Sequence, residues 1–163
     1  MTGGTIDSEW DGTKDAIAPA EHSLIPGYFR VLQKQAKLYE EMEFIEACMK
    51  DSRSITPEDR MKILNIIEES DALKVIITHG TYTIPDTASF LEDNLKRRDQ
   101  VVIVTGAMIP IKGFETSDGP FNLGYSIAQV NTLSAGVYVC VSARVYTPKR
   151  AEQRTAPIFQ TKQ

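Results

Sequence analysis

Two short stretches hold the residues best suited to chemistry: Thr2-Gly3-Gly4-Thr5-Ile6 and Thr78-His79-Gly80-Thr81. Each sets a threonine hydroxyl directly after a glycine-containing turn. The second follows the apolar run Leu73, Val75, Ile76, Ile77, which reads as a buried strand. In open α/β sheets ligands collect beyond the carboxyl ends of the strands. Glycines there let backbone N–H groups approach a substrate and face a developing negative charge. A threonine hydroxyl is a poor nucleophile until a base takes its proton and donors receive the oxyanion. Thr5 reads as the nucleophile. Thr81 reads as its partner, orienting or deprotonating a water or a threonine, with its own N–H beside Gly80 serving the oxyanion. Ser52 and Arg53 offer donors suited to a substrate carboxylate. The competing reading is that all of these are capping and turn residues.

The elements that must position them alternate along the chain. Gly27 to Tyr39 reads as a helix with Phe29, Leu32, Ala36 and Tyr39 on one face, and Met42 to Met49 as a strand. Asp51-Ser52-Arg53-Ser54 follows at what would be the ligand-binding end of that strand. Thr56-Pro57-Glu58-Asp59 announces a helix, with Thr56 as N-cap, Pro57 at the first position and acids in the first turn; Met61, Leu64 and Ile67 give its buried stripe. Ala88, Leu91 and Leu95 mark another helix, Val101 to Val104 a strand, Leu123, Ile127 and Val130 a further helix, and Val137 to Val141 a last strand. Strands and helices alternating at this spacing predict an α/β fold of three layers, a mainly parallel sheet flanked by helices in Rossmann-like fashion. No repeat or linker divides residues 1–163, so they read as a single domain with a polar tail or loop over 146–163.

Two regions do not fit this alternation. A glycine-rich active turn normally follows a strand, yet only Met1 and Thr2 precede Gly3; the expectation is that Met1 is an internal methionine of a longer chain, the alternative that the sheet lacks one strand. Residues 7 to 26 show no periodicity and read as a long loop, either a mobile lid over the Thr5 turn or a loose terminus. His22 within it reads as a surface residue.

Composition narrows the function classes. The 163 residues carry a net charge of −4 with a pI near 5.2, which argues against nucleic-acid binding. The run Lys96-Arg97-Arg98 falls at a helix end, where it complements the dipole. No apolar run approaches a membrane span and no signal-peptide pattern opens the chain, so the expected setting is cytoplasmic. Two separated cysteines, Cys48 and Cys140, read as buried thiols, and two distant histidines make a zinc site improbable. Thr2-Gly3-Gly4-Thr5 is not a dinucleotide fingerprint, and neither a phosphate-binding P-loop nor a G-x-S-x-G elbow occurs.

Taken together, Thr2-Gly3-Gly4-Thr5-Ile6, Asp51-Ser52 with Thr56-Pro57-Glu58-Asp59, Thr78-His79-Gly80-Thr81, Val104-Thr105-Gly106-Ala107-Met108 and Ser117-Asp118-Gly119-Pro120-Phe121-Asn122-Leu123 resemble the bacterial-type L-asparaginases. The blocks occur in that family's order and span residues 2 to about 145, the family's larger N-terminal domain. The resemblance implies cofactor-free hydrolysis of L-asparagine to aspartate and ammonia through a threonine acyl-enzyme. Thr5 matches the first nucleophilic threonine and Thr81 the second. Ser52 matches a residue that holds the substrate α-carboxylate, with Arg53 where Gln or Ser is usual. The Gly106-Ala107-Met108 and Asp118-Gly119-Pro120 blocks look structural.

Four departures accompany the resemblance. The family's Thr-His-Gly-Thr-Asp-Thr has Tyr82 in place of the acid that meets the substrate ammonium, and a phenol is uncharged at neutral pH; Asp51 is the candidate substitute. The catalytic lysine aligns with Gln153, and Lys149 is the nearest replacement, a base if burial lowers its pKa. The lid tyrosine has no clear match: Ile17 lies near its position, and Tyr28 could serve only if the loop folds back. The family's small C-terminal domain, which completes a neighbour's pocket, has no counterpart in the chain. This resembles the short, single-domain asparaginases and predicts a homo-oligomer, dimer or tetramer, with a different interface. Two alternatives stay open: a degenerate asparaginase domain that binds an amino acid or a partner protein without turnover, and an amidase acting on another amide. L-Glutamine is a possible weak second substrate.

Overall fold

The computed structural model describes residues 1–39 and 41–152. Its centre is a four-stranded sheet in the order β3-β4-β5-β6, built from β3 (Lys74–Thr78), β4 (Val101–Thr105), β5 (Gly136–Val141) and β6 (Arg144–Tyr146). The first three strands are parallel, with Lys74 opposite Val101 and Val101 opposite Gly136; β6 returns antiparallel, with Val141 opposite Arg144. Every residue of β4 is buried, as expected of a central parallel strand covered on both faces.

Helices cover the two faces. On one, Ile63, Leu64 and Ile67 of α2 (Pro57–Glu69), Ile84, Ala88 and Leu91 of α3 (Ile84–Asn94) and Ala151 of α5 (Pro148–Glu152) pack on Val102, Val104, Val137, Val139 and Val141. On the other, Tyr125 and Val130 of α4 (Gly119–Val130) meet Val101, Ile103 and Cys140. A smaller apolar cluster joins α1 (Ile25–Gln35) to α4 through Phe29 and Leu123, with Ile6 and Ala107. The α/β, three-layer class is thus observed. The predicted capping box is present: Thr56 Oγ1 accepts from Asp59 N at 3.2 Å, and the Asp59 carboxylate accepts from Thr56 N at 2.9 Å.

Several expectations are corrected. Ile63 takes the place of Met61 in the buried stripe of α2, and Met61 is exposed. Helix α1 begins two residues before Gly27 and ends at Gln35. Residues 7–26 contain a hairpin, β1 (Ser8–Asp11) against β2 (Ala16–Pro19), closed by Asp11 Oδ1 accepting from Thr13 N at 3.0 Å and Thr13 Oγ1 at 2.6 Å. Its strands are mostly exposed, so no apolar alternation announces them.

Met42 to Met49 is not a ladder strand. Among the described residues it pairs with Met1 to Gly3, where Lys50 forms a single bridge, to Gly3. Strand β6 was not anticipated. Its two-residue turn, Ser142-Ala143, has φ of 51° and 57°, the geometry that Asn-Gly usually signals. The tail expected from Thr147 begins instead as α5, while residues 153–163, Gln153 among them, lie outside the described residues. Cys140 is buried and Cys48 half-buried, both free thiols; burial pushes Cys140 up to about 12.

Candidate functional site

Three hydroxyl residues each open a single 3-10 turn: Thr5–Asp7, Ser52–Ser54 and Thr81–Thr83. Thr81 follows the carboxyl end of β3, where a doubly covered sheet presents its ligand-binding edge. Close backbone packing brings the three turns together. Gly4 has φ 79° and ψ −172°, a region essentially confined to glycine, and a methyl group there would overlap Cα and N of Gly80. Gly80 in turn faces Ser52, and a methyl on it would lie 2.6 Å from Ser52 Cβ and 2.7 Å from Oγ. Gly4, Gly80 and Ser52 are therefore in direct contact, and Thr5 and Thr81, both half-buried, flank that contact.

Further bonds fix the line. Thr2 N–H donates to Thr78 O at 3.0 Å, and Thr83 Oγ1 donates to Ser52 O at 2.9 Å. Among the described residues Ser52 Oγ is buried with no hydrogen-bond partner, an unsatisfied polar atom beside Gly80.

His79 lies between β3 and Gly80 and is wholly buried. Its Nδ1 is 2.8 Å from Gly80 O and its Nε2 2.9 Å from Thr87 Oγ1. A carbonyl only accepts, so Nδ1 carries the hydrogen and Nε2 accepts from Thr87; Thr87 Oγ1 accepts in turn from Arg60 Nε at 3.3 Å. Burial, with Arg60 adding to it, lowers the His79 pKa to about 4. The ring is a neutral brace for the Gly80-Thr81 turn.

The remaining residues expected at the site group differently. Asp51 Oδ1 accepts from Arg53 N at 2.9 Å and Nε at 3.0 Å, and Oδ2 accepts from Nη2 at 2.8 Å. The guanidinium carbon sits 4.9 Å from the centroid of the Tyr82 ring, a cation–π contact. Asp51, Arg53 and Tyr82 thus meet beside Ser52 and Thr81, chiefly through contacts with one another, and Arg53 holds the Asp51 carboxyl below the usual carboxylate range. Lys149 is exposed on α5, which packs against α3, β5 and β6. Among the described residues no hydrogen bond or ion pair joins it to Thr5 or Thr81. Ile17 is half-exposed on β2, while Tyr28 is part of α1, its ring edge-on to Phe29 at 5.4 Å. His22 is exposed and pairs with Glu46 at 3.2 Å.

Two anchors fix the site: Asp7, which sequence reasoning missed, and Asp118, which it read only as part of a structural block. The buried Asp7 carboxylate accepts from Ser23 Oγ at 2.9 Å and Leu24 N at 2.8 Å, pinning the start of α1 to the Thr5 turn; burial raises its pKa. Asp118 accepts from Met108 N at 3.0 Å and Ile109 N at 2.9 Å, while Asn122 Nδ2 donates to Gly106 O at 2.9 Å. These bonds hold the loop after β4 beside the site. Over the same loop, the β1–β2 hairpin is tied down by Lys112 to Glu9 at 2.6 Å and by Trp10 edge-on to Phe114 at 6.0 Å. Asp7 carried no spacing signal; only its burial reveals the role.

Comparison with known proteins gives this arrangement a family. Residues 1–161 match the profile described as "Asparaginase, N-terminal". The chain is 30% identical over 158 residues to an L-asparaginase of Thermococcus kodakarensis, covering 93% of the chain and 45% of that relative. It is 41% identical over 75 residues to L-asparaginase 1 of Escherichia coli K12, covering 45% of the chain and 22% of that protein. The solved thermostable enzyme of T. kodakarensis superposes with a TM-score of 0.72 at 28% identity, over 90% of this chain and 44% of that one. A structure described as a probable cytoplasmic L-asparaginase of Campylobacter jejuni gives 0.76 at 28% identity, over 91% and 46%. The chain spans a little under half the length of the T. kodakarensis and C. jejuni proteins. A profile match over nearly every residue, with the threonine turns in place, means that the chain belongs to the asparaginase family.

Proposed function

We propose that the chain carries the catalytic residues of an L-asparagine amidohydrolase that acts without a cofactor. Thr5 Oγ attacks the side-chain amide carbon, and the Thr81 N–H beside Gly80 receives the oxyanion. The C–N bond breaks as the nitrogen takes a proton and leaves as ammonia, with the aspartyl group now esterified to Thr5. Water, activated by Thr81 with Lys149 as the proposed base, then cleaves the ester to L-aspartate and free Thr5. Ser52 Oγ, with Arg53, receives the substrate α-carboxylate. The single observation that carries this reading is Ser52 Oγ, buried, unpaired and packed on Gly80 next to Thr81. L-Glutamine is a weaker second substrate on this reading, one methylene being worth about 1–3 kcal/mol in a fitted pocket. A cytoplasmic homo-oligomer, dimer or tetramer, is the proposed working form; the C. jejuni neighbour's description supports the first part.

A second reading is favoured by one observation: the Asp51 carboxylate is bonded at both oxygens by Arg53, and Tyr82 is stacked on that pair. Among the described residues, the Asp51 carboxylate is then engaged and not free to meet a substrate ammonium beside Thr81. A domain that binds an amino acid without turnover, or hydrolyses an amide lacking the ammonium, would have this composition. Ammonia release from L-asparagine and L-glutamine distinguishes the readings. The asparaginase reading expects turnover in the wild type that falls by about three orders of magnitude or more in Thr5→Ala and in Thr81→Ala. A folded wild type without turnover, but stabilised by L-asparagine, overturns it in favour of the binding domain.

A further inference from the structure

Asp51, Ser52, Arg53 and Tyr82 form one electrostatic unit beside Thr81. Ser52 packs on Gly80, the residue before Thr81, so the two turns set these side chains around a single corner. Arg53 gives one edge of its guanidinium to Asp51, Nε to Oδ1 at 3.0 Å and Nη2 to Oδ2 at 2.8 Å. Tyr82 takes a face of the same group, with the guanidinium carbon 4.9 Å from the ring centroid. None of the Asp51 bonds uses Nη1. A guanidinium holds five N–H donors in a flat fork, so its second edge keeps its donors after Asp51 is satisfied.

Ser52 supplies a second donor. The residue is 2 % exposed, and its Oγ has no partner among the described residues. A hydroxyl and a guanidinium edge together suit a carboxylate. The same guanidinium repels an ammonium, and the Asp51 charge that could offset this is already bonded at both oxygens. Residue 82 brings a phenol, whose flat ring suits the plane of an amide. A free amino acid carries both charges into this corner, and only one of them is welcome. An asparagine acylated on its α-nitrogen carries the carboxylate alone.

We infer that the site takes asparagine with an acylated α-nitrogen and a free α-carboxylate, as in N-acyl-L-asparagine or a peptide ending in asparagine, in preference to the free amino acid. This selection rests on the amidohydrolase reading, since it decides only which asparagine reaches Thr5. The α-carboxylate bonds Ser52 Oγ and the Nη1 edge of Arg53, and the acyl group lies against Tyr82. Asp51 is a positioning residue that holds the guanidinium in place. Thr5 Oγ bonds the side-chain carbonyl carbon as the C–N bond to the amide nitrogen breaks; the hydroxyl proton goes to that nitrogen, which leaves as ammonia. Water then replaces Thr5 on the same carbon and returns a proton to its oxygen. The bond between the acyl group and the α-nitrogen is untouched, so the product is N-acyl-L-aspartate.

The test compares ammonia release from N-acetyl-L-asparagine and from L-asparagine by the intact chain, with the product identified by mass spectrometry. The expected result is a kcat/KM roughly tenfold higher for the acetylated substrate, with N-acetyl-L-aspartate formed and the activity lost in Thr5→Ala. Arg53→Ser should raise the KM for N-acetyl-L-asparagine roughly tenfold with little change in kcat, and Tyr82→Asp added to it should reverse the preference. A kcat/KM for L-asparagine equal to or above that for N-acetyl-L-asparagine overturns the selection and leaves the amidohydrolase reading standing. Turnover of neither substrate by a folded wild type overturns both. Equal losses for the two substrates in Arg53→Ser reduce the Asp51-Arg53-Tyr82 unit to a structural contact and overturn its part in choosing the substrate.

Discussion

Gly4→Ala probes the contact on which the whole site rests. Two effects combine at this position. The backbone at φ 79° and ψ −172° lies in a region that costs a residue with a Cβ about 1–3 kcal/mol. The added methyl also falls on Gly80 Cα and N, main-chain atoms that no rotamer change can move, and overpacking of that kind costs about 1–3 kcal/mol. A combined loss of about 4 kcal/mol corresponds to a fall in Tm of roughly 8–16 °C for a domain of this size. Turnover should fall further than stability, because relief of the overlap requires the Thr5 and Thr81 turns to separate. Thermal unfolding by circular dichroism and ammonia release from L-asparagine below the mutant Tm measure the two effects. Gly124→Ala is the control: it is exposed on α4 with no atom within 4 Å of the added methyl. The control should gain about 0.5–1 kcal/mol from the better helix former. A Gly4→Ala protein that melts within about 2 °C of wild type and keeps its turnover refutes the packing of the two turns.

Other outcomes follow from the same geometry. The His79 pKa falls from 6.5 to about 4 on folding, so the unfolded chain binds the extra proton between those values. Stability is then complete above pH 6.5 and is lost as pH drops toward 4, by up to about 3 kcal/mol; urea unfolding across that window should show the slope, and His79→Gln should flatten it. Ser142→Asn with Ala143→Gly relieves two left-handed residues in the β5–β6 turn and should raise stability by about 1 kcal/mol, read from the denaturation midpoint. Tyr82→Asp combined with Arg53→Ser places an unpaired carboxylate beside Thr81; the KM for L-asparagine should fall roughly tenfold, and an unchanged KM in steady-state assays would remove position 82 from ammonium recognition.

What the sequence made legible was local. The α2 cap is written in Thr56, Pro57 and Asp59, within four consecutive positions, and Thr56 and Asp59 bond each other, so pattern and structure coincide. The apolar run of β4 is continuous because both its faces are buried, and those of β3 and β5 follow it less fully. Elements whose signal depends on distant partners were hidden. The β1–β2 hairpin has little buried surface to pattern it, and the β5–β6 turn uses Ser-Ala where Asn-Gly would announce it. Met42 to Met49 has the composition of a strand, but a strand is a pairing, and composition does not reveal that, among the described residues, the segment forms a single bridge, from Lys50 to Gly3. At the site, Thr5, Ser52 and Thr81 were legible as hydroxyls in turns. That Asp51 pairs with Arg53 under Tyr82 was not, since either could have faced a substrate.

Thr5 is placed by fastenings on both sides of its turn. The Gly3-Gly4 turn is fastened on one side to Lys50, through Gly4 N–H to Lys50 O at 2.9 Å and Lys50 N–H to Thr2 O at 3.1 Å, and on the other to Thr78. Thr81 instead follows directly on β3 and opens its own 3-10 turn. The contact between Gly4 and Gly80 is therefore where the two turns are set against each other, and it is there that the distance between the Thr5 hydroxyl and the Thr81 N–H is decided.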